Sequence, residues 1–229
     1  MLRSFLFNLF FWGGFCIFLL VMSPIAMLLS KSQADRLIYK NLGRLLDFCL
    51  KLFCNIDYKV IGREKMRQEC GQSQIILGCA HQSAWETIIF PLIFDNICIV
   101  AKKELFHLPI IRIYMRKFGC ISIDRSSPIL AIKSLIANGK KAIEKKHSIL
   151  IFPNGTRQNP SENTEYKVGL FALYKSLNLP VVPVTLNSGA LWSKHSFRKK
   201  SGTIVLEFKA KIEPGLNKQE FMQIFESRM

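Results

Sequence analysis

The sequence predicts an α/β fold, a mixed, largely parallel sheet flanked by helices, carried behind an N-terminal apolar helical segment that anchors it to a membrane. Three observations point there. Short apolar runs bounded by turn residues alternate with longer stretches whose apolar residues recur at helical spacing, as strands and helices do when they alternate along a chain. At 229 residues there is room for one sizeable domain plus an attachment segment, by the prior of roughly 100 to 200 residues per domain. Residues 4–30 carry no charged side chain, a run longer than the ~20 apolar residues that cross a bilayer core.

Taken in order, residues 1–30 read as the membrane anchor. A cleaved signal peptide is the rival, but its apolar region runs only about 7 to 15 residues. Gly13, Gly14 and Pro24 could divide the segment into a re-entrant hairpin, so a single span and a hairpin both stay open. Residues 31–57 form an amphipathic connecting helix, with Leu37, Ile38, Leu42, Leu45, Leu46, Cys49 and Phe53 at helical spacing. Residues 58–229 form the α/β domain. There "DYKVIGRE", "SQIILGCA", "NICIVAKKEL", "CISIDR", "HSILIF", "LPVVPVTLNSG" and "TIVLEFKAKI" read as strands. "SAWETIIFPLIF", "PIIRIYMRKFG", "SSPILAIKSLIANGKKAIEKK" and "EYKVGLFALYKSLN" read as helices, the third with Ser127 at the cap and Pro128 at its first position.

A net charge of +16 calls for an anionic partner. No zinc-finger spacing, RNP-like strand or heptad-plus-basic region is visible, so nucleic acid is not expected. Beside an apolar anchor, each Lys or Arg near an anionic leaflet contributes about 1 kcal/mol, which makes membrane docking the economical reading and leaves an anionic substrate compatible with it. Arg3 alone precedes the apolar run, while Lys31, Arg36, Lys40 and Arg44 follow it, so the domain is expected on the cytoplasmic side. The seven cysteines are odd in number, lie mostly in apolar stretches and show no CxxC spacing. They read as reduced, buried small hydrophobes.

Two stretches carry chemistry. In "AHQSAWET", His81 can take a proton near neutrality, and a carboxylate on its far ring nitrogen would fix the tautomer and stabilise the imidazolium. On one regular helix, His81 and Glu86 would point about 140° apart, so the pair forms only if His81 sits in the strand-to-helix turn. The bland alternative is a capping box, with Ser83 as cap and Glu86 reaching back to it. In "FPNGTR", Asn154-Gly155 signals a hairpin turn, but the polar, proline-containing "TRQNPSENTEY" is a poor second strand. A tight glycine turn at a strand end also brings backbone N–H groups to an anion, and Thr156 and the bidentate fork of Arg157 add donors. Arg125 closes "CISIDR" where a strand end opens onto a crevice; a plain surface arginine is the competing reading. Lys102 and Lys103 hold a similar place.

Together and in this order, "HQSAWE", "GCISIDR", "FPNGTR" and "VPVTLNSG", with "KKEL" and "EYKVGLF" between them, resemble the blocks of the glycerolipid acyltransferase superfamily, most closely the 1-acyl-glycerol-3-phosphate acyltransferases. Two positions depart from that pattern: Glu86 stands where the family has aspartate, and Asn154 where it has glutamate. The resemblance implies His81 as general base, Glu86 as its partner, and Arg125 and Arg157 on the acceptor's phosphate. Asn154, Gly155 and Thr156 would then shape that pocket. The implied reaction moves a fatty acyl group from acyl-CoA or acyl carrier protein to the sn-2 hydroxyl of lysophosphatidic acid, giving phosphatidic acid, with no metal or redox cofactor. Another lysolipid acceptor, such as a lyso-ornithine lipid, and an inactive lipid-binding homologue are the alternatives.

Overall fold

The computed structural model describes residues 1–71, 73–124, 126–158, 166–194 and 196–229. Seven strands form one sheet: β1 (Ile56–Ile61), β2 (Ile76–Cys79), β3 (Ile97–Lys102), β4 (Ile121–Ile123), β5 (Ser148–Ile151), β6 (Val181–Leu186) and β7 (Gly202–Phe208). Their order is β1-β7-β6-β2-β5-β3-β4. Every adjacent pair is parallel except β6 with β7, so the sheet is mixed and largely parallel.

The central strands are buried on both faces, and their sequences are accordingly near-continuous apolar runs rather than alternating ones. Helices Trp85–Ile93, Gly169–Leu177 and Lys218–Ser227 bury Trp85, Ile89 and Phe90, Leu170 and Leu173, and Phe221 and Phe225. Gly78 allows one of these contacts: a Cβ there would lie 2.7 Å from the Phe225 ring. Any side chain at that position would push the C-terminal helix off β2, the strand that leads into His81.

The apolar N-terminal segment is one continuous helix, Leu2–Leu28. Its residues Asn8–Trp12 widen into π-helical turns just before Gly13 and Gly14, and Pro24 is accommodated inside the helix. Neither glycine nor proline divides it into a hairpin. Residues 31–54 are helical as well, with π-turns at Asp35–Tyr39 and Leu50–Cys54, and a capping box between Ser30 and Gln33 starts them. Both segments pack on the domain. Phe7 and Phe11 are fully buried in the main core, and the Phe7 ring meets Trp192 edge-on at 5.4 Å. Further along, the Tyr114 hydroxyl donates to Leu19 O at 2.6 Å, and the Lys117 ammonium to Leu29 O at 2.6 Å. One face of Leu2–Leu28 stays bare, with Leu9, Ile17, Leu20, Val21 and Leu28 exposed.

Ser127 and Pro128 stand at the predicted start of Pro128–Glu144, although the Ser127 hydroxyl makes no cap bond. All seven cysteines are free thiols.

Candidate active site

Four parallel neighbours, β6, β2, β5 and β3, end on the same edge of the sheet, where α/β proteins open their ligand crevices. The stretch after β2 holds His81, the stretch after β5 holds Asn154 to Arg157, the stretch after β6 holds Ser188, and Lys102 closes β3. Arg125 lies outside the described residues; its neighbour Asp124 pairs with Lys103 at 2.9 Å.

His81 sits in the strand-to-helix turn, ahead of the helix that begins at Trp85. Its Nδ1 lies 2.8 Å from Glu86 Oε1. Glu86 is fully buried and collects further donors: Gln82 N at 2.6 Å and Ser83 N at 2.7 Å on Oε1, and the hydroxyls of Ser83 at 2.8 Å and Ser188 at 2.9 Å on Oε2. Burial pushes its carboxyl up, but the bond and charge of His81 and the donated backbone N–H outweigh that, leaving it below the ordinary value. An ionised carboxylate has no proton to offer, so His81 Nδ1 donates this bond and Nε2 is the ring nitrogen that does not face Glu86. Burying an anion is costly unless it is paired and hydrogen-bonded, and Glu86 is both.

The cap and the pair coexist. Glu86 Oε1 accepts from Ser83 N, so the return half of the expected box forms around the same carboxylate that holds His81, whereas the Ser83 hydroxyl accepts from Trp85 N at 3.0 Å, two residues on, and not from the third N–H that a full box requires. Regular helix starts later than Ser83, with Ala84 as the boundary residue. The His81 ring also stacks on Phe152 at 4.1 Å and 20°, and its carbonyl accepts from Gln158 N at 2.8 Å. Turn, helix and the β5 loop therefore all fix the imidazole.

"FPNGTR" is a turn of a different kind from the hairpin its Asn-Gly pair suggests. Gly155 N donates to Phe152 O at 2.9 Å, which puts Pro153 and Asn154 at the two central positions and Gly155, at φ +73°, last. Proline at the first central position and glycine at the last are the residues a type I turn favours. Asn154 is 4% exposed, and among the described residues its buried Nδ2 has no hydrogen-bond partner. Gly155, Thr156 and Arg157 instead line a cavity of about 910 Å³ that also contains His81. Trp12, Phe15 and Leu19 of the N-terminal helix and Leu42 and Tyr39 of the next line its apolar side, and Lys102, Lys167 and Lys194 join Arg157 on the basic side. Among the described residues no group of three or more metal-ligating side chains gathers.

Ser188 and Gln82 belong to this site as well. Ser188 completes the Glu86 donor set, and Gln82 Oε1 accepts from Gly189 N at 3.0 Å, locking the β2 and β6 loops together. The signal for Ser188 is its place in "VPVTLNSG", whose serine is the residue that reaches the carboxylate.

With known proteins the similarities are consistent with one another. The family model described as "Acyltransferase" matches residues 57–187. The 1-acyl-sn-glycerol-3-phosphate acyltransferase of Pseudomonas aeruginosa is 31% identical over 195 residues, covering 85% of this chain and 72% of that protein. The enzyme of that name from Saccharomyces cerevisiae is 32% identical over 142 residues, and there the match spans 46% of the relative's length. In fold, the crystal structure of the 1-acyl-sn-glycerophosphate acyltransferase from Thermotoga maritima superposes with a TM-score of 0.71 at 19% identity, over 99% of this chain and 91% of that one.

Proposed function

We propose that this chain, which belongs to the acyltransferase family, transfers a fatty acyl group from the thioester of acyl-CoA or acyl carrier protein to the sn-2 hydroxyl of lysophosphatidic acid. The product is phosphatidic acid. One observation carries the reading: His81, whose Nδ1 is held by a buried, ionised Glu86, shares one large apolar cavity with the guanidinium of Arg157. A base, an anion-binding fork and a long apolar volume are what an acceptor with a hydroxyl, a phosphate and an acyl chain requires.

In this mechanism His81 Nε2 takes the proton of the acceptor hydroxyl as its oxygen attacks the thioester carbonyl carbon. Glu86 is the positioning residue that stabilises the resulting imidazolium. Collapse of the tetrahedral adduct breaks the carbon–sulfur bond, and the departing thiolate recovers the proton from His81. The acceptor hydroxyl is itself the nucleophile, so no acyl-enzyme forms. Arg157, with Arg125, clamps the phosphate; Gly155 and Thr156 shape the loop around it, and Asn154 supports that loop from behind. No cofactor enters beyond the thioester co-substrate.

The same reading divides the chain into an anchor over 1–30, a connecting helix over 31–57 and the acyltransferase domain over 58–229. Both ends of the apolar helix are tied to the domain, through Ser4 and Asn8 at one end and Lys117 at the other. These ties support a helix that lies along one leaflet with its bare apolar face in lipid over one that leaves the domain to cross the bilayer. The basic surface supports a leaflet on the cytoplasmic side, where anionic lipids attract Lys and Arg.

The test is acyl transfer to lysophosphatidate by detergent-purified protein with both thioester donors. His81→Ala is expected to lower turnover by about 10²- to 10⁴-fold, the usual contribution of a positioned base; undiminished turnover would sink the mechanism. A second reading keeps the chemistry and changes the acceptor to another lysolipid, such as a lyso-ornithine lipid. It is favoured by Asn154, a neutral side chain in the turn beside Arg157. Acceptors with and without a phosphomonoester decide between the two.

A further inference from the structure

A second cavity, of about 270 Å³, lies where the first turn of helix Leu2–Leu28 meets residues 198–201. It shares no lining residue with the His81 cavity. Arg3, Arg198, Lys199 and Lys200 line it with Ser4 and Cys54, and none of its lining residues is acidic. Arg3, Arg198 and Lys200 are exposed, and among the described residues none of them is in an ion pair.

Lys199 is the unusual member, being only 8% exposed. Its ammonium donates to three neutral oxygens, Asn8 Oδ1 at 3.1 Å, Phe197 O at 3.1 Å and Ser196 O at 3.3 Å. It also sits over the rings of Phe7 and Trp192, 5.4 and 5.0 Å from their centroids. Burial lowers its pKa to about 8, against an upward pull from Cys54. Those three acceptors use all three of its N–H donors, so Lys199 adds positive charge beside the cavity, while the exposed Arg3, Arg198 and Lys200 keep donors to offer an anion.

The surroundings specify the anion. Leu2, Phe5 and Phe197, beside the cavity in sequence, are exposed and apolar, so the pocket opens next to the bare face of the helix. A cationic pocket bordering an apolar face matches an amphiphile whose head is negative. We propose that this cavity binds the phosphate headgroup of an anionic phospholipid, at a site separate from the His81 cavity. The bound lipid would seat the anchor helix, because two residues that line the pocket also fasten it: Lys199 N donates to Ser4 Oγ at 3.0 Å. This rests on the reading that Leu2–Leu28 lies in a membrane.

Flotation of the full chain on vesicles tests it, using phosphatidylcholine alone and phosphatidylcholine with roughly one third phosphatidylglycerol. The exposed pair carries the test, since altering buried Lys199 invites misfolding. R198Q/K200Q is expected to lose about tenfold in affinity for the anionic vesicles and nothing on the neutral ones. The charge-matched control K140Q/K141Q, on a distant exposed helix face, is expected to lose less than about twofold. Equal losses by the two double variants would mean diffuse attraction and overturn the site. Millimolar inorganic phosphate separates the sources. If it raises the unfolding midpoint of the wild type but not of R198Q/K200Q, while the vesicle affinities of the two agree, the pocket serves free phosphate and the lipid assignment falls. Failure of the wild type to float on neutral vesicles would instead defeat the membrane reading itself.

Discussion

The two loops that line the active-site cavity side by side, joined by the bond from Gln158 N to His81 O, are finished to different degrees. After β2, every oxygen of Glu86 is engaged, the His81 ring is bonded, stacked and tied by its carbonyl, and the neighbouring β6 loop is locked in through Ser188 and Gly189. After β5, Asn154 Nδ2 is buried without a partner among the described residues, and Arg157 lines the cavity with Lys102, Lys167 and Lys194. Groups that do chemistry must be held before substrate arrives, because orientation achieved in advance need not be supplied during the reaction. Groups that grip a charged ligand gain most when that ligand supplies their missing bonds. The protein has spent its hydrogen bonds on the base.

Glu86→Gln strikes the finished loop and should have the largest effect. The amide keeps the size of the carboxylate, its oxygen can still accept from His81, Gln82 and Ser83, and the Ser83 and Ser188 hydroxyls can turn to accept from its NH₂. The fold should therefore hold while turnover falls about 100-fold or more, for want of a negative charge on the imidazolium. The substitution also has a pH signature. The folded carboxyl lies below its ordinary value of 4.5, so its stabilisation is complete above that value and is lost as pH falls through the lower, folded one. Thermal unfolding across the acid range should show a loss in the wild type that Glu86→Gln lacks. A variant that keeps turnover, or that unfolds at neutral pH, would mean Glu86 serves the cap alone.

Arg157→Lys probes the open loop and should act less strongly. Lysine keeps the charge but gives up the planar fork that meets a phosphate with two parallel bonds. The expected result is a rise of about tenfold in KM for lysophosphatidate with kcat within about threefold. An acceptor without a phosphomonoester should be handled alike by both proteins. A fall in kcat at unchanged KM would place Arg157 with the chemistry and erase the division of labour between the loops.

That division is only partly legible in the sequence. The fold class is, because alternating apolar runs and helical spacings are local signals; so is the placement of His81 in a turn, because Ser83 and Glu86 mark where the helix begins. Strand order is not. Nothing local in "TIVLEF" tells that β7 runs antiparallel to β6 and parallel to β1, between the two, and while "VPVTLNSG" marks Ser188 as part of a block, it does not say that the hydroxyl meets a carboxylate 102 positions earlier. Helix Lys218–Ser227 is missing from the expected elements although its signal is local: Asn217 and Glu220 form a complete capping box ahead of Phe221 and Phe225. "FPNGTR" misleads in a specific way, since Asn-Gly suggests a two-residue hairpin while Pro153, one position earlier, claims the first central place of the turn.

The smallest effect belongs to Asn154→Ala, and it is the most direct check on how unfinished the β5 loop is. A buried amide donor without a partner costs about 1 to 3 kcal/mol. Truncating it removes that cost and introduces another, the lost contacts and the small cavity left by the side chain. The two nearly cancel, so stability should change by less than about 1 kcal/mol, a shift of the unfolding midpoint within about 4 °C for a chain of this size. Were Nδ2 satisfied in solution, the same truncation would instead lose a buried hydrogen bond and open the cavity together. A drop in midpoint of about 8 °C or more would then follow, and the β5 loop would have to be counted as fully bonded as the loop that carries His81.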